Sequence, residues 1–183
     1  CLPGTRITIL KAFINWAKGA LNIGTRILWL CGVAGSGKSS IALSVALGAH
    51  EAGVLGAYYC FNTAHQAQLN PSNLFSTIAC QLAARDKATE KHLISLTQGC
   101  DIFIQKSTNP SVQLNTFLLP LLTPPSDLAS TQPHKIIVID AVDESGNIRE
   151  RKAILRCLTE VGSQLPYNVR ILVTSRFEID VQN

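Results

Sequence analysis

The sequence predicts an α/β fold, a parallel sheet with helices on both of its faces. Three observations carry this. Short apolar runs at 27–31, 54–61, 135–140 and 169–174 alternate with longer stretches of helical periodicity, as in strands joined by crossover helices. The runs are continuously apolar, which suits strands buried on both faces. A glycine-rich octapeptide, Gly32-Val-Ala-Gly-Ser-Gly-Lys-Ser39, follows the first run at once and leads into a helical pattern. Strand, glycine loop and helix in that order is the context of a phosphate-binding loop.

The octapeptide fits G-x-x-x-x-G-K-[ST] at each fixed position. Polyphosphate is dense in negative charge and acceptor oxygens. Main-chain amides from Gly32, Val33, Ala34, Gly35, Ser36 and Gly37 can meet it without bulky side chains, given glycines at tight or left-handed positions. The helix beginning near Lys38 adds free N–H groups and the positive end of its dipole. Lys38 is assigned the outer phosphates as a cation, and the Ser39 hydroxyl a Mg2+ ion. Ser36 and Ser40 are further hydroxyls of this loop; with no G-x-S-x-G in a helpful context, none is read as a nucleophile. The bland alternative is a Gly/Ser turn that binds nothing.

Taken in order, residues 5–18 show helical spacing at Ile7, Leu10, Ile14 and Ala17, flanked by Phe13 and Trp16, with Thr5 as a candidate N-cap. After the glycine loop, Ile41, Ala42, Val45, Ala46 and Ala49 mark one helix face, and Gly53 its stop. Val54 to Phe61 is the second strand and 62–70 a polar loop. Asn70-Pro71 reads as cap and first helical residue before Leu74, Phe75, Ile78, Ala79 and Leu82. A helix is expected over about 88–98. Asn109-Pro110 repeats the cap signal ahead of Val112, Leu114, Phe117 and Leu118, with Pro120 ending or kinking that helix. Residues 123–134 read as a surface loop. The third strand, 135–140, ends in Asp140. A loop over 141–147 precedes a helix over 148–163 with Ile148, Ala153, Ile154, Cys157, Leu158 and Val161 apolar. The fourth strand, 169–174, is followed by Ser175 and Arg176. Residues 1–24 are read as a lead-in helix and 25–183 as the nucleotide-binding core.

Ligands on open parallel sheets sit beyond the carboxyl ends of the strands. The glycine loop, Asp140 and Arg176 all fall at such ends, so topology alone predicts that they converge. Asp140 is placed where a Mg2+-assisting carboxylate is needed. Asp143 and Glu144 follow it as candidates to orient or deprotonate water, with a solvated turn or a cap for the helix near 148 as the alternative. Arg176 is the candidate reader of a γ-phosphate, or else a surface ion pair.

Composition narrows the rest. Of 183 residues, 46% are hydrophobic and 15% charged, which excludes a disordered chain. No apolar run approaches the roughly 20 residues of a membrane span. The chain opens at Cys1 and contains no Met, so it reads as part of a longer polypeptide. The net charge is +4 with scattered basic residues. The densest group, Arg149 to Lys152, reads as a solvated helix face, and direct nucleic-acid binding is not expected. None of the six cysteines forms a C-x-x-C pair. Cys31, Cys60, Cys80 and Cys157 are read as small buried hydrophobes in a reducing, cytoplasmic setting. His50, His65, His92 and His134 lack metal-ligand spacing.

Gly32 to Ser39, Ile136 to Glu144 with its Asp140-Ala-Val-Asp143-Glu144 arrangement, and Ile171 to Arg176 together resemble the NACHT family of STAND-class P-loop NTPases. Tyr58-Tyr59-Cys60-Phe61 and the segment from Asn73 to Leu82 are similar to fungal, basidiomycete-type members. The resemblance implies an ASCE-type sheet with the Arg176 strand between the glycine-loop strand and the Asp140 strand. It implies ATP or GTP with Mg2+, slow hydrolysis, and a nucleotide-gated signalling switch in non-self recognition or programmed cell death. Partners implied are a nucleoside triphosphate, further copies of the chain, and flanking effector and repeat domains. A fifth strand and the helical and winged-helix segments of such switches have no candidate in residues 1–183. Two readings compete: a P-loop small-molecule kinase, which the same octapeptide resembles, and a remodelling ATPase needing a neighbour's arginine. The guanine-selecting N-K-x-D motif does not occur.

Overall fold

The structure, a computed structural model, describes residues 7–17, 25–61, 73–123 and 134–177. Four strands form one sheet: β1 (Ile27–Cys31), β2 (Leu55–Cys60), β3 (Lys135–Asp140) and β4 (Val169–Ser175). Their spatial order is β1-β4-β3-β2, and every pairing is parallel. The order therefore puts the Arg176 strand between the glycine-loop strand and the Asp140 strand. The sequence explains which strands are central. β4 is buried along its whole length and β3 from Ile136 onward, while β1 is only half-buried. Among the described residues no strand lies beyond β1.

Alternate side chains face opposite layers, as the strand period requires. Ile137, Ile139, Ile171 and Val173 join the larger core, and Ile136, Val138 and Leu172 the smaller. Each such fully buried aliphatic side chain contributes about 1.5–3 kcal/mol. The larger core lies under α3 (Leu74–Ala83) and α7 (Ile148–Gly162) and the segment 110–122 between them. The smaller lies under α1 (Ile7–Ala17) and α2 (Lys38–Glu51). Two further helices, α4 (Lys87–Gln98) and the short α5 (Ile102–Gln105), follow α3. Close packing explains Gly56 in β2: a Cβ there would meet Leu82 at 3.0 Å. The pairing of β2 with β3 shifts register at this point, between Leu55 and Ala57.

Five expectations change on contact with the structure. The buried face of α1 is Phe13, Trp16 and Ala17, while Ile7 and Ile14 are exposed. The helix is apolar nearly all round, so the larger aromatic surfaces take the interior. Trp16 also donates its indole N–H to the Thr25 carbonyl at 3.0 Å. Pro120 does not end its helix. The segment runs on as Pro110–Gln113, a π-helical turn Leu114–Leu118, then Leu119–Leu122, together α6. The wide turn absorbs the missing N–H and the ring clash one turn upstream. It also keeps Leu114, Phe117, Leu118, Leu121 and Leu122 buried. Arg151 is buried, so 149–152 is not a fully solvated face. Cys80 is exposed, and Cys31 and Cys60 are only half-buried; Cys157 alone of that set is buried. Ile148 is exposed at the start of α7.

Caps confirm where helices start. Asn109 accepts the Ser111 N–H at 2.9 Å with Pro110 at the first turn of α6. Asn147 and Glu150 form a capping box on α7. Thr5, Asn70-Pro71 and the loops at 62–70 and 124–133 lie outside the described residues. Among the described residues, no helix is long and apolar enough to cross a membrane.

Candidate functional site

The glycine loop turns sharply out of β1. Gly35 and Gly37 have φ of +72° and +82°, left-handed values that cost an L side chain about 1–2 kcal/mol. Nothing lies within 4 Å of a Cβ built at Gly35, so backbone conformation, not space, requires glycine there. Gly37 is the residue from which α2 springs. The start of the loop is tied to the neighbouring strand, the Gly32 N–H reaching the Ser175 carbonyl at 3.3 Å. Lys38 folds back over the loop and donates to the carbonyls of Gly32 at 2.7 Å and Val33 at 3.0 Å. Its ammonium thus spans the loop it follows.

Beside the loop lies an open cavity of about 380 Å³. One wall is Gly35, Gly37, Lys38 and Ser39, with Ala34 and Ser40; the opposite wall is Asp143, Glu144 and Arg176, with Ala141 and Thr174. The predicted convergence of three strand ends is therefore present. Gly32, Val33 and Ser36 shape the loop without lining the cavity. Asp140 does not line it either: it is wholly buried, at 0% exposure. Thr174 and Ala141 are the residues that sequence reasoning missed. The available signal for Thr174 was a hydroxyl directly after the apolar run Ile171 to Val173, two residues before Arg176.

Asp140 is held from both sides of its strand. The Thr174 hydroxyl on β4 donates to its Oδ1, and the Cys60 thiol on β2 donates to its Oδ2 at 3.4 Å. Burial, then the Asp140 carboxylate, pushes the Cys60 thiol up to about 11. The Tyr58 hydroxyl is raised by burial first and by Cys60 and Asp140 after it. Beyond Asp140 the chain bends at Ala141, the one non-glycine residue with positive φ (+58°) among those described. A small side chain suits that left-handed position. The bend starts the 3₁₀ turn Val142–Glu144 and lets the Ala141 N–H donate to the Thr174 hydroxyl at 3.0 Å.

The two acids of that turn differ. Asp143 Oδ1 accepts the Arg176 main-chain N–H at 3.0 Å, and its Oδ2 pairs with Arg176 Nε at 3.1 Å. Its side chain is 4% exposed. Glu144 is 28% exposed and meets Arg176 only at 3.5 Å, beyond good hydrogen-bond range. Neither acid caps α7; Asn147 does. Asp143 is thus a tie between the turn and β4, and Glu144 is the more exposed of the two acids that line the cavity.

Among the described residues no group of three or more His, Cys, Asp and Glu could hold a metal ion. Mg2+ commonly takes one or two protein oxygens and completes its shell with phosphate and water. The exposed Ser39 hydroxyl suits a direct place in that shell, and the buried Asp140 carboxylate, which does not line the cavity and which no cation neutralises among the described residues, suits a place reached through one of its waters.

The nephrocystin 3 N-terminal family model matches residues 4–176. The chain belongs to that family. The nephrocystin 3 N-terminal match spans α1, the whole sheet and every residue of the cavity, ending on Arg176. No curated protein matches the chain.

Proposed function

We propose that this nephrocystin 3 N-terminal chain binds a nucleoside triphosphate with Mg2+ and hydrolyses it slowly, as a nucleotide-gated switch of the NACHT, STAND-class type, similar to fungal members. One observation carries the reading. A glycine loop with its lysine and serine faces two acids and an arginine across a single cavity.

On this reading each residue has a task. Loop amides and the N-terminal turn of α2 receive the phosphates, and Lys38 exchanges its two carbonyl partners for phosphate oxygens. Ser39 and Asp140 would hold Mg2+, which when bound supplies charge neutralisation for the phosphates. Glu144 orients or deprotonates the attacking water. Arg176 extends toward the γ-phosphate from β4 by giving up its long contact with Glu144, while its main chain stays tied to Asp143. The reading also takes ATP or GTP as the nucleotide and a reducing compartment such as the cytoplasm. The free thiols of Cys31, Cys60, Cys80, Cys100 and Cys157 support that compartment. The open edge of β1 supports self-association or docking of flanking domains.

The test is calorimetric titration with ATP and with GTP, each with Mg2+, followed by assays of phosphate release and of phosphoryl transfer to added small-molecule acceptors. Binding with slow release of inorganic phosphate is the expected result. Absence of binding to either nucleotide refutes the reading, and transfer to an acceptor replaces it with a kinase.

A further inference from the structure

Resting on the nucleotide reading above, we infer that Thr174 and Cys60 are positioning residues, a clasp that aims the Asp140 carboxylate at the cation. The argument begins with where Asp140 sits. It ends β3 between β4 and β2, wholly buried, and directly opposes Cys60 in the register of β2 with β3. Each flanking strand supplies one neutral donor, the Thr174 hydroxyl to Oδ1 and the Cys60 thiol to Oδ2 at 3.4 Å, where the charged oxygen outcompetes the Phe61 carbonyl at 3.5 Å for the single S–H proton. Two donors on two oxygens fix the plane of the carboxylate, and no cationic side chain among the described residues pairs with it. An ionised carboxylate has about four acceptor positions, so capacity remains for a cation or its water.

The Thr174 hydroxyl has one choice of orientation. It accepts the Ala141 N–H at 3.0 Å, so its own proton is directed to Asp140. That N–H is aimed by the left-handed backbone of Ala141, so the bend after β3 and the clasp are one construction. Thr174 also lines the cavity while Asp140 does not, which makes it the link between the buried carboxylate and the open site. Partners of this kind behind a metal-binding group are worth roughly 10–100-fold in metal affinity. The thiol is the weaker donor.

The test uses the protein with Thr174→Val, Thr174→Ser, Cys60→Ala, Cys60→Ser and Asp140→Asn. The first readout needs no nucleotide. The infrared S–H stretch of Cys60, isolated as wild type minus Cys60→Ser, is expected at lower frequency than a free thiol and to rise in Asp140→Asn. A band that does not move in Asp140→Asn overturns the clasp. The second readout is nucleotide affinity with and without Mg2+. Thr174→Val is expected to weaken the Mg2+-dependent part roughly tenfold and Cys60→Ala about threefold. Affinity without Mg2+ stays unchanged, and both serine variants return close to wild type. Equal losses with and without Mg2+, or no rescue by serine, overturn the clasp. If the wild type binds no nucleotide, the nucleotide reading falls, and the S–H band decides the clasp by itself.

Discussion

Replacing Asp143 with Asn separates a structural acid from a chemical one. The side chain is 4% exposed and both of its oxygens are occupied by Arg176, at 3.0 Å from the main-chain N–H and 3.1 Å from Nε. Asn keeps the shape, removes the charge, and turns one oxygen into a donor facing a donor. A hydrogen bond to a charged group contributes about 1.5–3 kcal/mol. The Nε pair is worth less, about 1 kcal/mol or below, because the Arg176 side chain is 48% exposed and screened by water. The expected loss is then about 2–3 kcal/mol. At this chain length each kcal/mol moves the melting temperature by about 2–4 °C, so a fall of roughly 5–10 °C should be read in a thermal melt. The control is Glu144→Gln, whose contact with Arg176 is 3.5 Å long and lies between partly exposed groups. It should change stability by less than about 0.5 kcal/mol. Asp143→Asn melting with the wild type, or Glu144→Gln losing more than Asp143→Asn, would refute the division of labour.

Three further outcomes follow from the same geometry. Glu144→Gln should keep nucleotide affinity while slowing phosphate release by about 10²–10⁴-fold, the range of a lost general base; undiminished turnover would return that task to Asp143. Lys38→Ala should weaken nucleotide binding by at least about 1.5–3 kcal/mol, roughly tenfold to hundredfold in Kd, and a calorimetric affinity equal to wild type would remove Lys38 from the site. Asp86 caps α4, accepting the Ala88 and Thr89 N–H groups at 3.2 and 2.9 Å and the Thr89 hydroxyl at 2.5 Å. These bonds, the Thr89 hydroxyl foremost, hold its carboxyl below the ordinary 3.8. The lowered acid stabilises the fold fully above that ordinary value and loses its effect below it, as pH falls through the depressed folded-state value. Asp86→Ala should therefore cost about 1 kcal/mol in urea unfolding at neutral pH, with a deficit that shrinks in acid; a pH-independent deficit would contradict the cap.

Strands and the glycine loop were legible because each is dictated locally. A parallel strand must be apolar on both faces, and 135–140 and 169–174 say so without help from the rest of the chain. The loop demands glycine at left-handed positions and a cation after it, so Gly35, Gly37 and Lys38 could be placed by spacing alone. What was not legible depends on neighbours in space. α1 is apolar on nearly every side, so periodicity could not choose its face, and only contact with α2 and the sheet selects Phe13 and Trp16. Pro120 reads as a stop or a kink because its local cost is visible; the five buried side chains that carry the helix past it, and so choose a distorted turn over an end, are not. Asp143 and Glu144 are adjacent and chemically alike. Their separation into a buried tie and a more exposed carboxylate requires knowing that β4 lies next to β3. Thr174 was hidden for the opposite reason, since a threonine at the end of a strand is what β-propensity alone would favour.

Position in the sheet also explains why three consecutive residues at the end of β4 can join everything around the cavity. β4 lies between β1 and β3. Thr174 binds sideways to Asp140 and Ala141 on the β3 side. Ser175 turns the other way, its hydroxyl accepting the Trp29 indole N–H at 2.8 Å and its carbonyl accepting the Gly32 N–H at 3.3 Å. Arg176 then leaves the strand and takes hold of Asp143. Alternation along a strand sends neighbouring side chains to opposite layers, so Thr174 and Ser175 cannot serve the same partner. The loop wall and the acid wall of the cavity therefore meet through one strand end. A group that pulls on the Arg176 guanidinium from within the cavity loads the same residues that hold the glycine loop to Ser175 and the Asp140 carboxylate to Thr174. In a site built this way, the glycine loop, the buried carboxylate and the acidic turn are all hydrogen-bonded to three consecutive residues, Thr174 to Arg176.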